Sequence, residues 1–332
     1  MRIGLAMTAV QPPVPALDII ISPENPPKAT HNNSSSGFRQ PSRGPSLLEI
    51  LRQVYESPIL EPAMPYIPNH TIYDQARQHM GGGRPEEIRR ICAQYYIDEE
   101  GGGKEFESKM EEFVWISTLM LYATGKEGRK PRLDFFLMHL VTSAYFFGPI
   151  LKMLPNPRHK AKILRAFLPT MVLFAIHRGR PVIKPELLMS YTTTPRPPVS
   201  PECRPKSDET AVGTPLDDAD YNAWHEILAS CVYAPDSHVL KVMRALVISS
   251  KKYGQIAPGD VIGAYQLPPS SKGNTEEKVE VIKGISKVDG TIFVRAAGMT
   301  MDSLGWITHG QPARVWDRSG LGWEDAWKYG EQ

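Results

Sequence analysis

The sequence predicts an all-α protein: a multi-helix globular domain behind a disordered N-terminal leader. Three observations carry this. Outside the leader, most segments repeat apolar residues at the spacing of one helix face. No segment alternates apolar and polar residues as a half-buried strand does. Capping residues, early prolines and closing glycines bracket the periodic runs where helices would start and stop. The leader, residues 1–45, is rich in Pro, Ser and Asn, as in ENPPKATHNNSSSGFRQPSRGP, a composition that buries little apolar surface. The helical domain is expected over 46–330, with no solenoid-type repeat.

The elements follow in order. Ser46 is placed to cap a helix whose apolar residues are Leu47, Leu48, Leu51, Val54 and Tyr55. After a proline-rich connection, RPEEIRRICAQYYI has Pro85 near its first turn and acids just behind it, a favourable helix start. The run GGG at 101–103 closes that unit. KEFESKMEEFVWISTLMLYAT is helical, with Lys109, Glu111 and Glu112 read as surface charge, though Glu112 adjoins the apolar stripe. Residues 132–154 form an apolar helix. A helix capped by Asn156 and ended by Gly179 contains Pro169, which is expected to kink or split it. PELLMSY is a short helix, and TTTPRPPVSPECRPKSDETAVGTP a long polar loop. ADYNAWHEILASCVY and SHVLKVMRALVISSKKYG are helices joined at APD, and KVDGTIFVRAAGMTMDSLGW holds one more.

Composition narrows the function. The chain has 332 residues, with Lys plus Arg at 38 against Asp plus Glu at 36 and a net charge of +2. That balance excludes the basic excess of a nucleic-acid surface. Cys92, Cys203 and Cys231 are far apart and odd in number, which gives no disulfide framework or zinc knuckle and fits a reducing, cytoplasmic setting. The start, MRIGLAMTAVQPPVPALDIII, is broken by prolines and makes a poor signal or anchor. Residues 135–151 are apolar but short for a span and interrupted by Gly148-Pro149, so a buried core helix is expected there and no membrane.

Generic enzyme motifs are missing. There is no GxGxxG after a strand, no P-loop and no GxSxG; GLG at 320–322 lacks the strand and the third glycine, and WHEILAS has Ala229 where HExxH needs its second histidine. What remains is a pair of histidines. His139 sits in DFFLMHLVTS, among Phe, Leu and Met. A buried imidazole needs a partner, either an ordinary hydrogen bond or a metal ion. His238 lies in APDSHVLKVMRAL, where Asp236 or Ser237 can cap a helix and the positive end of the helix dipole keeps the imidazole neutral, as a metal requires. Lys241 shares its face at i+3. The plain alternatives are a core histidine, an exposed first-turn histidine, and a solvated face bearing Lys241 and Arg244.

The blocks LLEILRQVYESP, IRRICAQYYIDEE, KMEEFVWISTLMLYATGKEGRKPRLDFFLMHLVTS, LRAFLPTMVLFAIHRGRP, LLMSYT, APDSHVLKVMRAL and KVDGTIFVRAAGMTMDSLGW resemble the questin oxidase-like family of fungal oxidoreductases, in consecutive order over residues 46–330. The resemblance implies a helical enzyme of aromatic polyketide metabolism. Such an enzyme opens an anthraquinone-type ring with O₂, either as an NADPH-linked Baeyer–Villiger-type oxidase or as a non-haem iron dioxygenase. It implies His139 and His238 as iron ligands, Lys241 as a carboxylated lysine ligand, and Arg244 as partner to that carbamate or to a quinone oxygen. Imidazole and carboxylate donors suit iron, and a lysine carbamate forms only where burial exposes the free amine. The partner implied is a small aromatic substrate in an apolar pocket, with Phe135, Phe136, Trp115 and Tyr145 as lining candidates. Members of this family carry a further N-terminal portion with more helix-borne histidines, where this chain has its leader. The expectation is therefore an incomplete site, with apolar helix faces left exposed and open to oligomerisation. The competing expectation is a truncated, non-catalytic helical protein that keeps only the fold.

Overall fold

The computed structural model describes residues 20, 25–26, 32, 38–68, 74, 81–198, 221–266 and 278–328. Their helices are α1 (Leu47–Glu56), α2 (Arg84–Cys92), α3 (Gly102–Tyr122), α4 (Phe135–Met153), α5 (Pro157–His177), α6 (Pro185–Met189), α7 (Ala223–Val232), α8 (Ser237–Tyr253) and α9 (Ile292–Leu304). Among the described residues no strand forms; isolated bridges pair Asp134 with Asp317 and Tyr265 with Glu280. The fold class is thus all-α.

Helix α3 is the centre. It packs against α1, α4, α5 and α9, and every residue from Lys109 to Tyr122 is buried. The sequence gives the reason: from Phe113 onward it is apolar on all sides, and a helix with no polar face is enclosed. Phe113, Trp115 and Phe293 are fully buried, with Trp115 and Phe293 ring centres 5.1 Å apart. Each such side chain contributes roughly 1.5–3 kcal/mol.

Local signals set the helix starts. Ser46 accepts from the Glu49 amide, Asn156 from Arg158, and Asp236 from His238. Gly263, at φ +74°, lets the chain pass Ser46 so closely that a Cβ there would lie 2.2 Å from the serine Cβ. Two expectations change. Glycines 102 and 103 open α3 rather than close α2. Pro169 does not split α5, which runs continuously from Pro157 to His177.

The expected surface charges of α3 are also corrected. Lys109, Glu111 and Glu112 are all buried. Lys109 Nζ lies 3.0 Å from Glu112 Oε1, and the Leu47 amide donates to Glu112 Oε2 at 2.7 Å. Glu111 takes a bidentate contact from Arg39 at 2.6 and 2.8 Å. That contact reaches into the leader. Most of residues 1–45 lie outside the described residues, but Gln40 donates to the Tyr265 carbonyl and Ser42 to Glu105. Asn25 both donates to the Ile97 carbonyl and accepts from its amide. The stretch expected to be disordered is docked at these points. The long polar loop is described only to residue 198.

Helix α4 is long and apolar enough to cross a membrane. It packs against α3, α5 and α8, but Phe146 and Met153 remain 46% and 63% exposed, so its outer face is apolar and open.

Candidate functional site

The two histidines singled out in the sequence meet. His139 stands on the second turn of α4 and His238 on the first turn of α8, and their ring centres are 5.2 Å apart at 61°. Phe135 completes a triangle, at 4.7 Å from His139 and 5.1 Å from His238.

The start of α4 is held by buried chemistry. Asp134 caps it, accepting from the amides of Phe136 and Leu137, and its other oxygen meets Arg178 Nε at 2.6 Å, both side chains 1% exposed. Burial raises the Asp134 carboxyl above its ordinary value, with Arg178 opposing. The C-terminal tail closes over this point. The Phe135 amide donates to the Asp317 carbonyl and the Asp317 amide to the Leu133 carbonyl, while Arg132 pairs with the Asp317 carboxylate at 2.6 Å. Further on, the Gly322 amide donates to the Arg178 carbonyl, and a Cβ on Gly322 would lie 2.1 Å from the Gly179 oxygen. GLG at 320–322 is therefore a packing motif. This docking brings Arg318 over the face of Phe135, 3.7 Å from the ring centre.

Each imidazole has one nitrogen engaged. His139 Nδ1 is 2.8 Å from the Phe135 carbonyl, and His238 Nδ1 is 2.7 Å from Asp236 Oδ1. Both partners only accept, so each Nδ1 carries the hydrogen and each neutral ring keeps its Nε2 lone pair. Burial is the main cause that lowers His139 below the ordinary 6.5; nearby His238, Lys241 and Arg318 lower it further, and the Phe135 carbonyl works against them. Partial burial pushes the Asp236 carboxyl up, but the hydrogen bonds from His238 outweigh it and the net shift is downward.

Two imidazoles sharing one ion at ~2.1 Å, with an angle near 100°, have ring centres about 5 Å apart, so the observed spacing fits. A hydrogen-bonded Nδ1 behind each free Nε2 is also the usual outer-shell support of a ligand histidine. The rest of the shell does not follow. Among the described residues no group of three His, Cys, Asp or Glu side chains can hold a metal. Lys241 is exposed, so the burial that a carbamate needs is not supplied there. Two donors, not a complete coordination set, are present, and no catalytic step is assigned to a metal.

The remaining candidates separate. Arg244 is exposed and lies over Tyr145 at 5.6 Å, roughly 9 Å along α8 from His238. Trp115 is in the core, donating to Glu111, and Phe136 sits under Arg178. Of the expected lining residues only Phe135 touches the histidines. Two small cavities lie elsewhere. One is lined by residues such as Leu47, Ile116 and Leu168, the other by residues such as Tyr122, Arg132 and Met299. The site lies between α4, α8 and the tail, with Phe135, His139 and His238 partly exposed and Lys241 and Arg318 exposed. Arg318 and the second role of Asp236 escaped the sequence. A carboxylate two residues before a histidine is a weak local signal for the latter, and Arg318 has none.

A match to the questin oxidase-like family covers residues 2–246. It begins inside the leader and ends within α8, whereas the resemblance read from the sequence began at 46 and ran on to 330. A Baeyer-Villiger monooxygenase, dmxR6 of Cryptosporiopsis sp. (strain 8999), is 29% identical over 161 residues, 44% of this chain and 33% of the relative. The chain thus spans about a third of that relative's length. Since the family match takes in well over half of the sequence, the chain belongs to the questin oxidase-like family.

Proposed function

We propose that this protein is an oxidoreductase of the questin oxidase type, acting with O₂ on an anthraquinone-type aromatic polyketide. One observation carries the reading: in a chain of this family, His139 and His238, remote in sequence, stand ring against ring beside Phe135, each held through Nδ1 and with no hydrogen bond at Nε2 among the described residues. Iron and NADPH are the cofactors the reading brings. In a Baeyer–Villiger course, one oxygen atom enters the C–C bond beside a carbonyl. The other leaves as water, on two electrons from NADPH and accompanying protons. In a dioxygenase course both oxygen atoms enter the product. This chain's residues would orient the flat ligand on Phe135 and accept or return a proton at Nε2 of either imidazole.

The test is O₂ uptake by purified, iron-reconstituted protein with a hydroxyanthraquinone, with and without NADPH. The expected result is uptake lost at least a hundredfold in His139→Ala; one NADPH oxidised per O₂ marks the first course and none the second. No uptake above the His139→Ala background overturns the reading. A second reading is a helical protein that keeps the fold without the chemistry. The lack of a three-donor group among the described residues favours it, and absence of iron after anaerobic reconstitution would support it.

A further inference from the structure

We propose that the His139–His238 patch is an anion-selective site, in which Arg318 of the C-terminal tail binds the negative charge of an aromatic ligand, a carboxylate or an ionised phenol. The inference rests on the reading of the patch as a site for a flat aromatic molecule, and adds its charge and the residue that reads it.

Among the described residues the cations around the patch lack ion-pair contacts. Arg318 lies 3.7 Å over Phe135, is exposed, and makes no ion pair with any described residue. Lys241 and Arg244, both exposed on the neighbouring face of α8, have no ion-pair partner among the described residues either. Lys241, Arg318 and His238 all act electrostatically on His139. Among the described residues the carboxylate touching the histidine pair is Asp236; it is bonded to the His238 ring and amide and also acts electrostatically on Lys241, without an ion-pair contact. Elsewhere in the fold Arg39 meets Glu111, Arg132 meets Asp317 and Arg178 meets Asp134, while Arg180 and Arg295 are held by backbone carbonyls; Arg318 has neither kind of partner among the described residues. Next door to Arg318, Asp317 is taken by Arg132 and Ser319.

Holding unpaired cations together is unfavourable and is relieved by a bound anion. A guanidinium stacked on a ring presents a planar fork to a carboxylate or phenolate while the ring and the imidazole edges meet the aromatic body. Arg318 lies outside the segment matched to the family, which ends at residue 246.

The experiment uses the full chain and two probes of one shape: anthraquinone-2-carboxylate and neutral 2-(hydroxymethyl)anthraquinone, titrated by quenching of protein fluorescence. The carboxylate is expected to bind at least about tenfold tighter, the worth of one hydrogen-bonded charge pair, with the gap narrowing as salt is raised. Arg318→Gln should lose that tenfold for the carboxylate and leave the alcohol within about twofold, while Arg318→Lys should restore part of the preference. Equal binding of the probes to the unmodified protein overturns the proposal. So does an equal loss of both in Arg318→Gln, which would make Arg318 a support for Phe135 alone, and so does binding of neither probe. A preference for the carboxylate in protein that consumes no O₂ supports the anion site and overturns only the oxidase reading.

Discussion

The charges inside α3 and those between α4 and α8 are handled in opposite ways. At α3, Lys109 and Glu112 are 0% and 1% exposed and in contact; Tyr95 stands beside Glu112, its hydroxyl directed at Oε1, and places its ring 4.6 Å from the ammonium. At the histidine patch, Lys241, Arg244 and Arg318 are exposed and make no ion-pair contact among the described residues. Desolvation explains the contrast. An ion in the interior persists only if paired and hydrogen-bonded, so the α3 charges are committed to the fold. Ions at the patch keep their hydration and can exchange it for a ligand. The same chemistry serves architecture in one place and recognition in the other.

The strongest way to break this contrast is Lys109→Met. It strands Glu112 in the core, where burial already raises its carboxyl and Lys109 is the main opposing influence. The expected loss is about 3–5 kcal/mol in urea-unfolding free energy. Lys109→Met with Glu112→Leu should recover most of it, because a packed apolar pair replaces the ions. An equal loss in single and double variants would show that the site needs charge for some purpose other than mutual compensation.

What the sequence disclosed follows from the range of the forces. The caps at Ser46, Asn156 and Asp236 were legible because a cap is a contact across two or three residues. The helix class was legible because periodicity is local. The burial of Lys109 and Glu111 was not: SKMEEF looks like the charged surface of a helix, and only the enclosure of α3 by its neighbours makes it interior. The approach of His139 and His238 was expected from family resemblance, not from spacing. The partial exposure of the site was missed because nothing local says whether a wall stands opposite an apolar helix face. Arg318 was missed because a bridge between Asp317 and Asp134, across most of the domain's sequence, carries it there. The docked leader was missed because Pro, Ser and Asn composition hides single anchors such as Arg39.

A smaller effect sharpens the recognition side. Asp236→Ala removes the cap of α8 and the acceptor on His238 Nδ1 together. The stability loss should be about 1 kcal/mol, that of an ordinary cap. The larger consequence is chemical: His238 is no longer held as the Nδ1–H tautomer, so its Nε2 ceases to be a dedicated lone pair. Nitrogen-15 shifts of the imidazole, read on its neutral form, should show an unprotonated Nε2 in the unmodified protein and a tautomer mixture in Asp236→Ala. Asp236→Asn, which retains an acceptor oxygen and a good cap, should keep the first pattern. A mixture already present in the unmodified protein would refute the ordered ring.

The smallest effect is one of pH. Burial, aided by His238, Lys241 and Arg318, holds His139 below the ordinary 6.5. Between the ordinary and the lowered value the unfolded chain binds the proton and the folded chain does not. The neutral ring's contribution is therefore complete above about 6.5 and is lost as pH falls through the folded value. Unfolding free energies at about pH 7.5 and pH 5 should fall more for the unmodified protein than for His139→Leu, which has no proton to take up. The groups facing this ring are His238, Lys241 and Arg318, with Asp236 one contact behind. A slope unchanged by His139→Leu would mean that the ring is as well solvated in the fold as in the open chain, and that the patch is surface rather than site.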